Sequence, residues 1–86
     1  MYKLIFSKIA GKDAKKLAKA GLKAKTMFLL IILKEDPFKT PPSFEKLKGN
    51  LLGFYSRRIN IQHRLIYEVF EEQKIVKILR MWTHYE

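Results

Sequence analysis

The sequence contains no cysteine in its 86 residues. A disulfide framework and a thiolate metal site are therefore excluded, and this composition fits a reducing compartment. Acidic residues are also scarce, because eight Asp and Glu stand against eighteen Lys and Arg. They are scattered, without the HxxxH or DxD spacing typical of metal sites. The sequence therefore predicts no metal and no cofactor.

Long hydrophobic runs are absent as well. The longest runs from Met27 to Leu33, whereas a membrane-spanning helix needs about 20 apolar residues. The opening "MYKLIF" lacks the long apolar stretch and the small-residue cleavage site of a secretory signal. We expect a soluble, cytoplasmic protein with no membrane partner, folded as one domain over residues 1–86.

Positive charge is what the sequence has in excess. The formal net charge is +10 at pH 7, which favours a polyanionic partner, with nucleic acid ahead of an anionic membrane or an acidic protein. Most lysines lie at or before Lys48, and all four arginines lie at or after Arg57. Lysine is a mobile point charge, whereas arginine holds phosphate through a planar fork. The second half of the chain is therefore the better place for a shaped phosphate site.

The pattern of apolar and turn-forming residues predicts an α+β fold. Ser7 can cap a first helix that Gly21 ends, and Pro37 stops a second helix that begins near Leu22. The predicted strands are 2–6, 51–61, 63–70 and 75–85, with a proline-punctuated loop between the second helix and the second strand. The order is β-α-α-β-β-β, which favours an antiparallel sheet with a two-helix hairpin packed on one face.

The second predicted helix carries "MFLLIIL", which is apolar on every side for nearly two turns. One face can pack on a sheet. The other must meet a partner chain, a second copy of the protein or the loop that follows, and a protein partner is the better interpretation. We hypothesise that residues 27–33 support a homodimer.

The polar residues of the second half could cut RNA without a metal. In such a reaction the 2′-hydroxyl attacks the adjacent phosphate, a base takes its proton, an acid protonates the leaving oxygen and cations stabilise the transition state. The residues available are Glu45, Arg58, Arg64, His84 and Tyr85. From composition alone Glu45 is more readily explained as a cap, and His63, Tyr67 and Trp82 as structural residues. The residues by themselves therefore indicate an RNA-binding α+β domain and leave nuclease activity open.

Three motifs add a resemblance to a known family. These are "FEKLKGNLLG", "YSRRINIQHRLIY" and the terminal "HY". With the "DPFKTPP" loop, they strongly resemble the Txe/YoeB family of bacterial toxins within the RelE superfamily. The similarity is close over residues 37–86 and looser over the helical half. It implies a compact antiparallel sheet with two helices, and a toxin that cleaves messenger RNA on the translating ribosome and is silenced by an antitoxin.

The resemblance also implies roles for individual residues. Glu45 corresponds to the general base, Arg64 to the arginine that stabilises the transition state and His84 to the general acid, while Tyr85 packs on or orients the nucleotide. Three cations are expected to hold phosphate: Lys48, Arg57 and Arg58. The partners expected are an acidic antitoxin, mRNA and the 70S ribosome. Two alternatives remain, a non-catalytic RNA- or ribosome-binding protein and a superfamily toxin that acts on a DNA topoisomerase.

Overall fold

The computed structural model describes residues 1–82. Its elements run β1, α1, α2, β2, a short 3₁₀ helix, β3, β4 and β5. Their bounds are β1 Lys3–Phe6, α1 Lys8–Lys19, α2 Lys23–Glu35, β2 Glu45–Lys46, the 3₁₀ helix Gly49–Leu51, β3 Phe54–Arg58, β4 Arg64–Phe70 and β5 Ile75–Arg80. The predicted α+β class is confirmed, and the two-residue strand β2 is an addition to the predicted order.

The five strands form one mixed sheet in the order β1-β5-β4-β3-β2. The β3–β4 and β4–β5 pairs are antiparallel, as predicted, and the additional strand β2 pairs antiparallel with β3. The pair β1–β5 is parallel instead, with Leu4 beside Val76 and Phe6 beside Ile78. This pairing joins residues from the two ends of the chain, so no turn or local pattern signals it.

Both helices begin and end where the sequence predicts. Ser7 caps α1 by accepting a hydrogen bond from the Ala10 N–H at 3.0 Å, and its own hydroxyl donates to the Leu79 carbonyl at 2.8 Å. Gly21 follows α1 with a φ of +77°, a conformation that glycine adopts without steric cost. Asp36 ends α2 in an extended conformation directly before Pro37.

The helices cover one face of the sheet, which we call the inner face. Leu17 of α1 and Leu33 of α2 share a buried cluster with Leu65, Tyr67 and Ile78 of the sheet. Successive side chains alternate across a strand. The residues between these core positions therefore lie on the opposite, outer face.

Neither helix simply buries its apolar side chains and exposes its polar ones, as an ideal amphipathic helix would. On α1, Ala10 and Leu17 are buried, whereas Ala14 and Ala18 are exposed and Asp13 takes a buried place on the same stripe. On α2, the side turned away from the sheet exposes about half of each of three apolar side chains, Met27, Phe28 and Ile31. The predicted uncovered apolar side of the second helix is therefore present.

Candidate active site on the outer face of the sheet

The register of three neighbouring strands brings the predicted site residues together. Glu45 of β2 pairs with Ser56 of β3, and Arg58 of β3 pairs with Arg64 of β4. Paired residues point to the same face of a sheet, and Ser56 and Arg58 share a face by alternation. Arg64 alternates with the core residue Leu65. Glu45, Arg58 and Arg64 therefore all lie on the outer face.

Glu45 and Arg64 form an ion pair within this group. The Arg64 Nη1 atom donates to Glu45 Oε1 at 2.5 Å. The Glu45 side chain is 67% exposed and that of Arg64 is 24% exposed. A pair so open to solvent contributes only about 0–1 kcal/mol to stability. The pair therefore places a carboxylate against a guanidinium in an accessible position, with little effect on folding.

Two further cations lie near this pair in the sequence or the sheet. Arg58 is exposed and stands directly opposite Arg64 in the antiparallel register. Like charges in that arrangement repel each other, and an anion bound between them would remove the repulsion. Lys48 is exposed in the loop between β2 and the 3₁₀ helix. The outer face therefore offers phosphate a charged surface with a carboxylate beside it.

Arg57 is not available for phosphate in this structure, which corrects the prediction. Its side chain points to the inner face and is 1% exposed. Its guanidinium donates to the carbonyls of Pro37, Lys39 and Pro42 and to the Tyr67 hydroxyl. The two arginines of the motif "SRR" are adjacent in a strand, and strand alternation therefore places their side chains on opposite faces of the sheet. The sequence alone could not say which one is buried.

The remaining predicted catalytic residues, His84 and Tyr85, lie outside the described residues. Strand β5 ends at Arg80 and is followed by the buried Met81. Trp82 stacks on the buried His63 with ring centroids 4.0 Å apart, and it packs against the core. Both side chains are thus packed within the fold, in agreement with the structural interpretation of His63 and Trp82.

Asp13 is a residue of this region that sequence reasoning missed. It is 1% exposed, and its carboxylate accepts hydrogen bonds from the Met81 backbone N–H at 2.9 Å and from Arg80 Nε at 3.3 Å. This contact ties α1 to the end of β5. The available signal was its spacing, because Asp13 follows Ala10 by three residues and precedes Leu17 by four, which places it on the buried stripe.

Among residues 1–82, Tyr67 is the titratable side chain whose pKa the fold shifts clearly. Burial raises the pKa of its phenol above the usual 10.0, and the neighbouring Arg57 charge and hydrogen bond oppose that rise in pKa. The hydroxyl donates to the Pro37 carbonyl at 2.9 Å. Tyr67 is therefore neutral at physiological pH, and its complete burial confirms it as a core residue.

Two general properties complete the description of residues 1–82. The structure brings no three His, Asp or Glu side chains of this part of the chain together in a group that could hold a metal ion. None of the described helices has both the length and the apolar character needed to cross a membrane.

The chain is thus a small, basic α+β protein with an accessible Glu–Arg pair on the outer face of its sheet. A family model described as "YoeB-like toxin of bacterial type II toxin-antitoxin system" matches residues 11–85. The chain therefore belongs to the YoeB-like toxin family, which confirms the resemblance found in its motifs.

Individual relatives agree with this membership. Toxin YoeB of Streptomyces coelicolor is 42% identical over 48 residues, which are 56% of this chain and 57% of that protein. Toxin YoeB of Synechocystis is 38% identical over 58 residues, 67% of this chain and 65% of that protein. The chain thus spans less than two-thirds of the length of either relative in these alignments.

Solved structures match the fold over nearly the whole chain. The YoeB/ParE toxin from Agrobacterium tumefaciens superposes with a TM-score of 0.87 at 28% identity, covering 96% of this chain and 99% of that one. The YoeB–YefM complex from Staphylococcus aureus gives a TM-score of 0.81 at 34% identity and covers 99% of both chains. A YoeB dimer from Staphylococcus aureus gives 0.82 at 34% identity and covers 98% of both.

Proposed function

We propose that this protein is the toxin of a type II toxin–antitoxin pair and that it acts as a metal-independent endoribonuclease on ribosome-bound mRNA. The observation that carries the proposal is the contact between Glu45 and Arg64 at 2.5 Å on the outer face of the sheet. A carboxylate and a guanidinium at that separation can serve one ribose–phosphate unit, as base and as anion holder.

The ion pair has a consequence for the order of events. In the free protein the Arg64 guanidinium donates a hydrogen bond to Glu45. This contact fixes the orientation of the guanidinium before substrate binds. A phosphate that binds Arg64 competes with the carboxylate for the same donors, since both form charge-assisted hydrogen bonds. Binding therefore frees the Glu45 carboxylate to accept a proton from the 2′-hydroxyl next to that phosphate.

The proposed reaction is an internal transesterification. The 2′-oxygen loses its proton to Glu45 and bonds to phosphorus, and the bond from phosphorus to the 5′-oxygen breaks. Arg64 and Arg58 stabilise the additional negative charge on the phosphate. His84 gives a proton to the leaving 5′-oxygen, while Tyr85 packs on or orients the nucleotide. The products are a 2′,3′-cyclic phosphate and a free 5′-hydroxyl.

The partners follow from charge and from family membership. The net charge of +10 favours association with the ribosome and mRNA, and Lys48 and Arg58 supply exposed cations beside the pair. The Staphylococcus aureus relative forms a complex with YefM, and we expect an acidic antitoxin, largely disordered when free, to cover the basic surface here. Both roles place the protein in the bacterial cytoplasm.

We also propose a homodimer. The apolar side of α2 is uncovered, with Phe28 58% exposed, and a second copy would bury it. A YoeB dimer from Staphylococcus aureus is a precedent for self-association in a related chain.

Cleavage of a translated mRNA on purified ribosomes tests the enzymatic proposal. Glu45→Gln and His84→Ala should each lower the cleavage rate roughly 100- to 10,000-fold, the range expected for loss of a general base or acid. Arg64→Ala should lower it about 100- to 1,000-fold, and Arg64→Lys should recover only part of that loss. Lys12→Ala is the matched control, because it removes one exposed cation of α1, which covers the opposite face of the sheet from the pair.

The chemical groups at the ends of the RNA products distinguish cleavage from binding without cleavage. The wild type should leave a 2′,3′-cyclic phosphate at one site per mRNA, and cleavage should persist in EDTA. Full activity in Arg64→Ala and His84→Ala would contradict the assignment. Inhibition of translation without any cut would instead support a non-catalytic ribosome-binding protein.

A further inference from the structure

The buried arginine Arg57 has no carboxylate partner within 4.0 Å among residues 1–82, although a buried charge normally requires one. We propose that Arg57 is a positioning residue, whose guanidinium holds the loop 36–44 in the shape that presents Glu45. This inference rests on the proposed function for the role of Glu45. The position of the loop itself can be tested independently of catalysis.

The charge of Arg57 is compensated by backbone dipoles. Its Nη2 atom donates to the carbonyls of Pro37 at 2.9 Å and Lys39 at 2.8 Å, and its Nη1 donates to that of Pro42 at 2.7 Å. Its Nε donates to the Tyr67 hydroxyl at 3.3 Å. We call this group the carbonyl cage. The fork of donors in arginine suits several acceptors at once, whereas lysine has a single nitrogen.

The loop lacks the regular backbone hydrogen bonds of a helix or a strand. Residues 36–44 form neither helix nor strand, and Pro37, Pro41 and Pro42 have no N–H to donate. Buried carbonyls still need donors. Arg57 supplies donors to three of them from one side chain, so the cage is the main set of side-chain hydrogen bonds that connects this loop to the sheet.

A physical connection runs from the cage to Glu45. The ring of Phe44, the residue just before Glu45, lies 5.2 Å from the Arg57 guanidinium carbon and packs edge-on against Tyr55 at 5.9 Å. Strand β2 has only two residues, so its ladder alone holds Glu45 weakly. The conformation of the preceding loop therefore helps to decide where the carboxylate meets Arg64.

The test uses Arg57→Lys, which keeps the charge and removes the fork. Single-turnover cleavage should slow at least tenfold, while affinity for ribosomes programmed with an mRNA carrying a 2′-deoxy target nucleotide should change less than twofold. Val76→Ala is the control, because it weakens the core on β5 away from the loop. All measurements are made well below the unfolding temperature of each variant, and Val76→Ala should leave both quantities within twofold.

A double variant shows whether Arg57 acts through Glu45. In a Glu45→Gln background, Arg57→Lys should cost less than twofold in rate, because the group that it positions is already lost. Additive losses would overturn the inference. A tenfold loss of affinity at unchanged rate would also overturn it, by making Arg57 a phosphate ligand.

Hydrogen exchange gives a readout that does not depend on activity. The Leu47 N–H bonds to the Phe54 carbonyl at 3.0 Å, just beyond Glu45. Its exchange should accelerate at least tenfold in Arg57→Lys and remain within twofold in Val76→Ala. Unchanged exchange would overturn the positioning role even if the protein cuts RNA. Faster exchange with full activity in Glu45→Gln would uphold the positioning of the loop and refute the proposed function.

Discussion

At the scale of single residues, Tyr67 shows how one side chain serves both the core and the loop. Its ring is fully buried and stacks on Tyr55 with centroids 5.6 Å apart. Its hydroxyl donates to the Pro37 carbonyl and accepts from Arg57 Nε. Because burial disfavours the phenolate, the pKa of Tyr67 is raised. The folded protein therefore retains this proton to a higher pH than the unfolded chain.

Tyr67→Phe tests this residue at two pH values. At pH 8 the variant loses two buried hydrogen bonds. It leaves the Pro37 carbonyl one donor short and the Arg57 Nε without this acceptor, which costs about 1–3 kcal/mol of unfolding free energy. The folded state binds the Tyr67 proton more tightly, so the wild type loses stability as the pH rises above the ordinary pKa of 10.0. The gap between the two proteins should narrow above pH 10.

Urea denaturation at pH 8 and pH 10.5 measures both effects. Comparing the two proteins at each pH cancels the titration of the lysines that they share. A gap in unfolding free energy that stays constant or widens at pH 10.5 would contradict the raised pKa.

At the same scale, the sequence predicts most residues of the candidate site and misassigns one. The motifs identify Glu45, Arg58 and Arg64, and the strand register places all three on the outer face. The same motif suggests Arg57 as a phosphate ligand, and the structure buries it. The roles proposed for these residues remain predictions until cleavage is measured.

At the scale of elements, α1 is fastened to β5 at two points. Ser7 donates from its hydroxyl to the Leu79 carbonyl at 2.8 Å, and Asp13 accepts from the Met81 N–H at 2.9 Å. Arg80 adds a contact to the same carboxylate at 3.3 Å. Both contacts join residues far apart in sequence, so they fix the helix against the last part of the described chain.

Asp13→Ala removes one of these attachments. It leaves the buried Met81 N–H without an acceptor, which should cost about 1–3 kcal/mol of unfolding free energy. Arg80→Ala should cost no more than about 1 kcal/mol, because the Arg80 side chain is 45% exposed. Chemical denaturation of both variants beside Lys12→Ala measures the difference. An Asp13→Ala variant as stable as Lys12→Ala would show that the attachment contributes little.

At the scale of the whole molecule, charge is the dominant property. The net charge of +10 acts on any RNA partner, but only cations at the site contact the phosphates directly. We expect Lys48, Arg58 and Arg64 to make such contacts. Counterion release from single-stranded RNA then gives a slope of log affinity against log salt of about −0.7 for each contact, or about −2 in total.

Arg58→Ala tests this counterion account. The slope should become less negative by about 0.7, and affinity for a single-stranded RNA should fall at every salt concentration. Fluorescence anisotropy between 50 and 200 mM salt, on the order of physiological ionic strength, measures both. A slope that Arg58→Ala leaves unchanged would remove Arg58 from the phosphate contacts, and Lys12→Ala should alter the slope by much less.

The apolar side of α2 gives a second prediction for the whole molecule. Sedimentation of the wild type at micromolar concentration should show a dimer, and Phe28→Glu should be a monomer because it places a charge on the apolar surface. Phe28→Leu is the matched control, since it remains apolar and should stay dimeric. Only monomer in the wild type would count against the proposed dimer.

The sequence by itself determined the two helices and four of the five strands, because their signals are local. Ser7, Gly21 and Pro37 mark helix ends, apolar alternation marks strands, and the "YSRRINIQHRLIY" motif marks the family. Tertiary structure alone decided the parallel pairing of β1 with β5, the burial of Arg57, and the contact of Glu45 with Arg64. Each of these depends on register or on packing between distant segments, which a linear pattern does not specify.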